Sequence, residues 1–426
     1  MRFQSARSMA AAWGALALAH TALLTGLPGT ADLIVWAGAG LVVFGLLPPR
    51  TSALLSTSLV TSALLLCALV AWVGPLLGLD QALFPNPVVR LIRYDFWRGH
   101  QIFAPNTDAM LTIPTGDLQA MTPKNLGSDL HETPRTVRFA TDSLGYRNDA
   151  DYHGQPYALV GDSFVVSSST DQADIPAAVL GRAHGLDAYS VAAVGGDMAD
   201  YARWTRDFRD RFGDTARVLL LVFEGNDFDP VRDKSRHDPT WKQWLRRYRD
   251  WFRFLPLGRT VFTQVGRLKA AERDDPVLQA TAGGLPLAFY RPYVEQVRAT
   301  GRRDLGDFPM LLKEMAPGIE AVFFAPAKYR VYAPLLDAPL PGVPQNGLPN
   351  AQWEYLSSLC RDNGLPCFDL TPALAAEARN ALAQGEFAYF QDDTHWNARG
   401  IRAAAEAMAE ALDAAAAPSA TGAEGH

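Results

Sequence analysis

Residues 158–166 read ALVGDSFVV, an apolar run that breaks at Gly161, presents Asp162 and Ser163, and then becomes apolar again. A glycine followed by Asp or Ser is typical of the turn between a strand and a helix. Within this segment alone, Ser163 fits two roles: the cap of a helix, or a nucleophile held on a tight turn. The rest of the chain has to distinguish them.

Short apolar runs alternate with longer amphipathic segments from residue 157 onward. Five runs are candidate strands: YALV, AYSVAAV, RVLLLVF, EAVFFA and PCFDL. Residues 197–212 show the spacing of apolar side chains that is typical of an amphipathic helix. Buried strands that alternate with helices indicate an α/β fold, in which helices cover both faces of a parallel sheet.

The first 80 residues have a different composition. They contain three apolar stretches, at residues 9–27, 33–47 and 51–79. A membrane-spanning helix needs about 20 mainly apolar residues, so we predict three transmembrane helices in residues 1–80. Arginines precede the first stretch and separate the second from the third, which places the N-terminus inside and the chain after residue 80 outside. A cleaved signal peptide followed by core helices is the alternative.

The remaining chain divides by composition. Residues 81–135 are rich in Pro, Asn and Gly, which predicts a linker or irregular lead-in. Residues 136–416 are predicted to form the α/β domain. Residues 230–310 interrupt the alternation and predict an insertion over the carboxyl edge of the sheet. Its stretch WKQWLRRYRDWFRF fits a lid, a helix that touches acidic lipid head groups, or a solvated helix packed on the domain. Residues 417–426 predict a disordered tail.

Charge and cysteine content limit the function classes. The 426-residue chain carries a formal net charge of −6, which gives no support to nucleic-acid binding. No metal-ligand spacing and no phosphate-binding glycine loop appear, so no cofactor is predicted. Cys360 and Cys367 lie at a predicted helix end and strand start. They fit either a disulfide in an oxidising compartment or two buried thiols.

Polar residues follow the candidate strands where each one ends. Ser163 follows the first strand, Gly195 the second and Asn226 the third, and QDDTHWNARG at residues 391–400 precedes the last helix. Because the carboxyl ends of parallel strands meet at one edge, these residues are expected to lie together. They provide a nucleophile, oxyanion donors, a base and an orienting carboxylate, the groups that acyl transfer requires.

GDSF, the glycine after the second strand, GND and the D-x-x-H near the end resemble the SGNH/GDSL hydrolase superfamily in that family's chain order. SLGYRN, PAKYRVY and HWNARG resemble membrane-associated bacterial SGNH proteins and the SGNH-like domains of alginate-type polysaccharide O-acetyltransferases. The resemblance implies a flavodoxin-like three-layer sandwich with a five-stranded parallel sheet. Two departures are visible: Glu224 stands where the family has glycine, and the alginate type places its D-x-H before the serine.

The resemblance also implies a role for each residue. Ser163 would be the nucleophile and one oxyanion donor, with Gly195 and Asn226 as the other donors. His395 would be the base, oriented by Asp392. Two alternatives stay open: Gly196 competes with Gly195, and Asp393 competes with Asp392 because DDTH satisfies both D-x-x-H and D-x-H.

The sequence therefore predicts a serine esterase or O-acyltransferase, anchored in a bacterial inner membrane with its catalytic domain in the periplasm. Its substrates would be acyl esters, mainly acetyl esters, of cell-envelope or exported glycans. A transferase would need an acyl donor, for which a separate membrane acyltransferase is a candidate partner. The alternative is a non-catalytic glycan-binding or assembly subunit, which the presence of both Ser163 and His395 disfavours.

Overall fold

The computed structural model describes residues 86–122, 126, 130, 134–254, 275–299, 304–343 and 345–416. The transmembrane helices predicted in residues 1–80 and the predicted tail 417–426 lie outside these residues. None of the described helices combines the length and the apolar content needed to cross a bilayer. The chain forms two compact units. Of the described residues, 94–99 and 239–254 belong to the first unit and the others to the second.

The secondary structure comprises eleven described strands and thirteen described α-helices. The strands are β1 (Ile92–Asp95), β2 (His100–Phe103), β3 (Asp108–Ile113), β4 (Arg135–Ala140), β5 (Tyr157–Gly161), β6 (Ala188–Ala192), β7 (Arg217–Phe223), β8 (Val277–Ala282), β9 (Leu285–Tyr290), β10 (Ile319–Ala325) and β11 (Cys367–Asp369). The helices are α1 (Pro87–Leu91), α2 (Asp117–Met121), α3 (Ser163–Val166), α4 (Pro176–His184), α5 (Met198–Phe212), α6 (Lys234–His237), α7 (Thr240–Phe254), α8 (Arg291–Val297), α9 (Phe308–Met315), α10 (Lys328–Tyr332), α11 (Ala351–Asp362), α12 (Thr371–Ala383) and α13 (Ala398–Ala416).

The five candidate strands of the sequence form one parallel sheet in the order β11-β10-β7-β5-β6. Numbered along the chain, this is the order 2-1-3-4-5 of flavodoxin-like sheets. The five-stranded parallel sheet is thus confirmed. Strand order reverses between β5 and β7, and ligands in such sheets bind beside the carboxyl ends of the strands at that point.

Burial on both sides explains why the central strands are almost entirely apolar. Val160, Leu220 and Phe324 point into one core cluster together with side chains from α5, α9 and α11. Their neighbours Leu159 and Phe323 are equally buried but lie outside that cluster. Helix α13 contacts both α4 and α12, and the buried residues of these three helices are likewise outside it. Helices therefore cover both faces of the sheet.

The described residues of the predicted linker or irregular lead-in are more ordered than their composition indicates. Residues 108–113 of β3 pair antiparallel with residues 135–140 of β4, and the short helix α2 lies between them. The prediction of an irregular segment is corrected here. Its Pro, Gly and Asn residues end these short elements. In β3, exposed and half-buried side chains alternate from Asp108 to Thr112, as expected for a strand at the surface.

Cys360 and Cys367 form a disulfide, with a Cα–Cα distance of 6.1 Å. Cys360 lies in α11 and Cys367 begins β11, as the sequence pattern indicates. The bridge links an edge strand of the parallel sheet to the helix that precedes it, and Cys360 itself belongs to the core cluster. Of the two alternatives that the spacing left open, the structure contains the disulfide.

Candidate active site

Ser163 lies on a tight turn at the carboxyl end of β5, near the point where strand order reverses. The strand ends at Gly161, and Ser163 is the first residue of the short helix α3. The Asp162 carboxylate caps this helix by accepting a hydrogen bond from the Phe164 amide at 2.9 Å. A Cβ on Gly161 would lie 2.6 Å from Val165 Cγ2, so this turn has no room for a side chain. The capping role thus belongs to Asp162, and the hydroxyl of Ser163 is available for chemistry.

His395 connects Ser163 to a buried carboxylate. Its Nε2 lies 2.7 Å from Ser163 Oγ, and its Nδ1 lies 2.6 Å from Asp393 Oδ1. The Phe164 ring packs against the imidazole, with ring centroids 4.8 Å apart. When Nδ1 donates its hydrogen to the carboxylate, Nε2 has the free lone pair that accepts a proton from the serine. The geometry is that of a serine nucleophile with its base and orienting acid.

The structure places Asp393 rather than Asp392 at the imidazole, which corrects the first choice made from the D-x-x-H spacing. Asp392 instead accepts hydrogen bonds from the Gly116 amide at 2.6 Å and from the Arg135 guanidinium at 3.2 Å. The local turn explains the difference. The His395 amide donates to Asp393 Oδ1 at 3.1 Å. This bond holds the Asp393 carboxylate next to the imidazole ring of His395. The D-x-H spacing is therefore the one that forms the contact.

The charges of His395 and Asp393 stabilise each other. Burial alone would lower the pKa of His395, but the charge of Asp393 and the hydrogen bond to it raise this pKa to about 9. Burial likewise disfavours the charged form of Asp393, yet the adjacent imidazolium holds its pKa well below the usual range. The free site thus favours the ion pair at neutral pH. The neutral imidazole that can act as a base becomes more abundant as the pH rises through about 9.

A second carboxylate, which sequence reasoning missed, lies beside the same imidazole nitrogen. Asp117 Oδ2 is 3.5 Å from His395 Nδ1, and its carboxylate accepts hydrogen bonds from the Thr394 amide and hydroxyl at 2.8 and 2.5 Å. The Asp117 amide in turn donates to Asp393 Oδ2 at 3.2 Å. Burial and the charge of Asp393 raise the pKa of Asp117 to about 7. The lead-in segment therefore brings a second carboxylate to the imidazole of His395.

Replacing Asp117 by asparagine is expected to shift the rise of kcat/KM with pH to lower pH. The charge of Asp117 raises the pKa of His395, so removing this charge lets the imidazole lose its proton at lower pH. The asparagine oxygen still accepts from Thr394, so we expect kcat at high pH to fall by less than about tenfold. The check is a pH–rate profile, with the exposed Asp187→Asn as control. An unchanged profile would contradict the electrostatic role of Asp117.

The predicted oxyanion donors lie at the carboxyl ends of β5, β6 and β7. Gly195 is exposed and adopts a φ of +69°, which favours glycine. A Cβ on Gly196 would lie 2.5 Å from the Trp204 ring, so that glycine is required for packing. Asn226 Nδ2 donates to the Gly196 carbonyl at 3.1 Å, which fixes the amide plane. Among the described residues, the amide nitrogens of Ser163 and Gly195 have no protein acceptor, which leaves both available to an oxyanion. The three donor roles stay predictions.

Glu224, which departs from the family pattern, has a structural partner. It is fully buried and forms a two-nitrogen ion pair with Arg330 of α10, including Nε contacts of 2.7 and 2.9 Å. Its Oε2 also accepts from the Ala327 amide at 3.0 Å. Burial raises the pKa of Glu224, while the adjacent guanidinium opposes that shift. The pair ties the end of β7, just before Asn226, to the PAKYR segment after β10.

Lys328 supports the loop that carries Asp393. This buried side chain donates to four main-chain carbonyls, those of Ala288, Phe390, Gln391 and Asp393, at 2.6 to 3.2 Å. One acceptor, Ala288, belongs to β9, so Lys328 links the hairpin within the predicted insertion to the loop that carries Asp393. In the sequence, PAKYRVY stands out only as a motif that flanks the site. Its lysine, Lys328, is the feature from which this contact could have been predicted.

Replacing Lys328 by methionine is expected to lower the free energy of unfolding by about 3 kcal/mol, because carbonyls buried around Nζ lose a charged donor. The methionine keeps the chain length, so the effect reports the hydrogen bonds and not a cavity. Urea denaturation measures it, with Lys313→Met as the matched control. Lys313 is exposed in α9, and we expect a change within about 0.5 kcal/mol there. Equal stability of the two variants would contradict the supporting role.

Comparison with known proteins found one similar family. Residues 312–425 match the family model of the SGNH hydrolase-like domain of acetyltransferase AlgX. The matched part contains Asp393 and His395, whereas Ser163 precedes it. No curated protein sequence matches the chain. Together with the parallel sheet, the match confirms the resemblance drawn from the motifs: residues 312–425 are similar to the SGNH hydrolase-like domain of an alginate-type acetyltransferase.

Proposed function

We propose that the protein is an SGNH-type serine O-acyltransferase that transfers acetyl groups to glycan hydroxyls, with ester hydrolysis as the outcome when water is the acceptor. The observation that carries the proposal is the hydrogen-bonded series Asp393–His395–Ser163, with contacts of 2.6 and 2.7 Å. The match of residues 312–425 to an acetyltransferase domain supports transfer of an acetyl group.

In the first half-reaction, Ser163 Oγ attacks the carbonyl carbon of the donor ester while His395 Nε2 takes the hydroxyl proton. The resulting oxyanion accepts hydrogen bonds from the amides of Ser163 and Gly195 and from the Asn226 side chain. When the intermediate collapses, the bond to the donor oxygen breaks and Nε2 gives that oxygen the proton. The products are an acyl-Ser163 enzyme and the donor alcohol.

In the second half-reaction, an acceptor hydroxyl gives its proton to His395 Nε2 and attacks the acyl carbon. Collapse of the second intermediate transfers the acyl group, and the proton returns to Ser163 Oγ. Asp393 stays ionised throughout and stabilises the imidazolium that forms in each half. The same steps with water as the acceptor give hydrolysis.

The proposed location is the periplasmic face of an inner membrane. The three apolar stretches in residues 1–80 support an anchor, and the disulfide between Cys360 and Cys367 supports an oxidising compartment. In this setting the acceptor would be a cell-envelope or exported glycan, and a separate membrane acyltransferase would deliver the acyl group.

The test is turnover of para-nitrophenyl acetate by the purified full chain, with and without a hydroxyl-bearing oligosaccharide. The proposal predicts release of nitrophenol in both cases and acetylated oligosaccharide with less free acetate when the acceptor is present. If free acetate is not reduced and no acceptor becomes acetylated, the protein is an esterase and the proposed transferase activity is excluded. Absence of nitrophenol release and of labelling by a serine-directed phosphonate would contradict both.

A further inference from the structure

Helix α7 separates apolar and basic side chains onto two adjoining faces. With 3.6 residues per turn, its tryptophan, leucine and tyrosine side chains fall within about one third of the helix circumference. We call this the aromatic face; it comprises Trp241, Trp244, Leu245, Tyr248 and Trp251. The adjoining basic face comprises Lys242, Arg246, Arg249 and Arg253. This separation is typical of a helix that lies at a boundary between water and an apolar phase.

The aromatic face is exposed. Trp241 and Trp244 are 60% and 54% exposed, and no residue of this described helix is buried. The segment 94–99 of the same unit extends the surface, because Trp97 is 78% exposed. Arg247 donates to the Trp97 carbonyl at 2.9 Å, and the Phe96 ring packs edge-on against Trp244 at 4.9 Å. An exposed aromatic surface of this extent indicates a docking site.

The charge of the helix indicates what it docks on. Residues 240–254 contain five basic residues and one acidic residue, a net charge of +4, within a chain of net charge −6. Helices that lie at bilayer interfaces are rich in tryptophan, tyrosine and arginine. Their aromatic rings insert at the boundary between head groups and acyl chains, and their guanidinium groups reach the lipid phosphates. The partner that complements both faces at once is an anionic lipid surface.

We propose that helix α7 lies in the head-group region of an anionic bilayer, with the aromatic face toward the acyl chains and the basic face among the phosphates. This inference rests on the proposed membrane location but not on the chemistry proposed at Ser163. The apolar N-terminal stretches of the chain, or a second copy, are the competing occupants. Either would cover the aromatic face regardless of lipid charge.

The test is hydrogen–deuterium exchange of residues 240–254 in the full chain, embedded in nanodiscs. One disc contains phosphatidylcholine alone, and the other contains phosphatidylcholine with phosphatidylglycerol. We expect exchange in α7 to be at least about tenfold slower in the anionic disc, and the difference to shrink in high salt. Equal exchange in both discs would overturn the proposal. If α7 is equally protected from exchange in both discs and also in neutral detergent, the aromatic face is covered by the chain itself or by a second copy.

A charge variant adds a second measurement that does not depend on activity. The variant changes Lys242, Arg249 and Arg253 to glutamine and is expected to lose most of the difference between the discs. The matched control makes the same charge change at three exposed positions of the other unit, Arg361, Arg379 and Arg402. It should retain the full difference. Loss of the difference in both variants would mean that net charge, and not this helix, determines the effect.

Discussion

Replacing Ser163 by alanine is expected to lower kcat for ester turnover by about 10⁶-fold, the loss seen when a serine nucleophile is removed from a complete hydrogen-bonded series. The reason is geometric. Ser163 Oγ is the atom that His395 Nε2 contacts at 2.7 Å, and a methyl group there can neither give a proton nor form an acyl ester. The measurement is steady-state hydrolysis of para-nitrophenyl acetate by both proteins at several pH values.

The neighbouring serines provide the control for this prediction. Ser167 Oγ donates to the Phe164 carbonyl at 2.8 Å and Ser169 Oγ donates to Asp393 Oδ2 at 3.1 Å, so neither hydroxyl is the partner of His395 Nε2. Ser167→Ala is therefore expected to retain turnover within about tenfold. A Ser163→Ala protein that keeps more than a hundredth of the wild-type rate would show that another group is the nucleophile.

Replacing Asp393 by asparagine is expected to lower kcat/KM by about 10⁴-fold while the protein still folds. The asparagine keeps the shape but removes the charge that holds Nδ1 protonated, so Nε2 no longer offers its lone pair to Ser163. The same change removes the main cause of the raised pKa of His395, so the pKa of the imidazole should fall. Proton NMR of the imidazole and a pH–rate profile measure the two effects.

Asp392→Asn is the matched variant, since it changes the adjacent residue in the same way. Asp392 is buried and bonds Gly116 and Arg135, so we expect its loss of charge to reduce stability, by about 1–3 kcal/mol, more than turnover. The two variants should therefore differ in rate, which falls by about 10⁴-fold only for Asp393→Asn. The reverse outcome, with Asp392→Asn losing the rate, would restore the D-x-x-H assignment.

The site was predictable where a functional residue and the secondary structure that positions it lie in one short segment. ALVGDSFVV places Ser163 after a buried strand, and the D-T-H sequence places a carboxylate next to His395; the parallel sheet then brings them together. The choice between Asp392 and Asp393 was not predictable, because overlapping spacings leave it to a single hydrogen bond from the His395 amide to Asp393 Oδ1.

Two contacts between distant segments carried no sequence signal. Asp117 reaches His395 from a region whose composition resembles a linker, and nothing in IPTGDL indicates that partner. Glu224 broke the family pattern, but only the structure shows that Arg330 neutralises it. In both cases the partner lies far away in the chain, and packing of the β3–β4 region or of α10 determines the pairing.

The most direct test of the central claim is to locate the acyl group. The full chain is mixed with para-nitrophenyl acetate, quenched in acid at early times, digested and analysed by mass spectrometry. The account predicts a mass increase of one acetyl group on the peptide that contains Ser163, formed and lost at rates consistent with kcat, and absent from Ser163→Ala. Turnover without any acetylated peptide, or an acetyl group on another residue that forms at the catalytic rate, would contradict it.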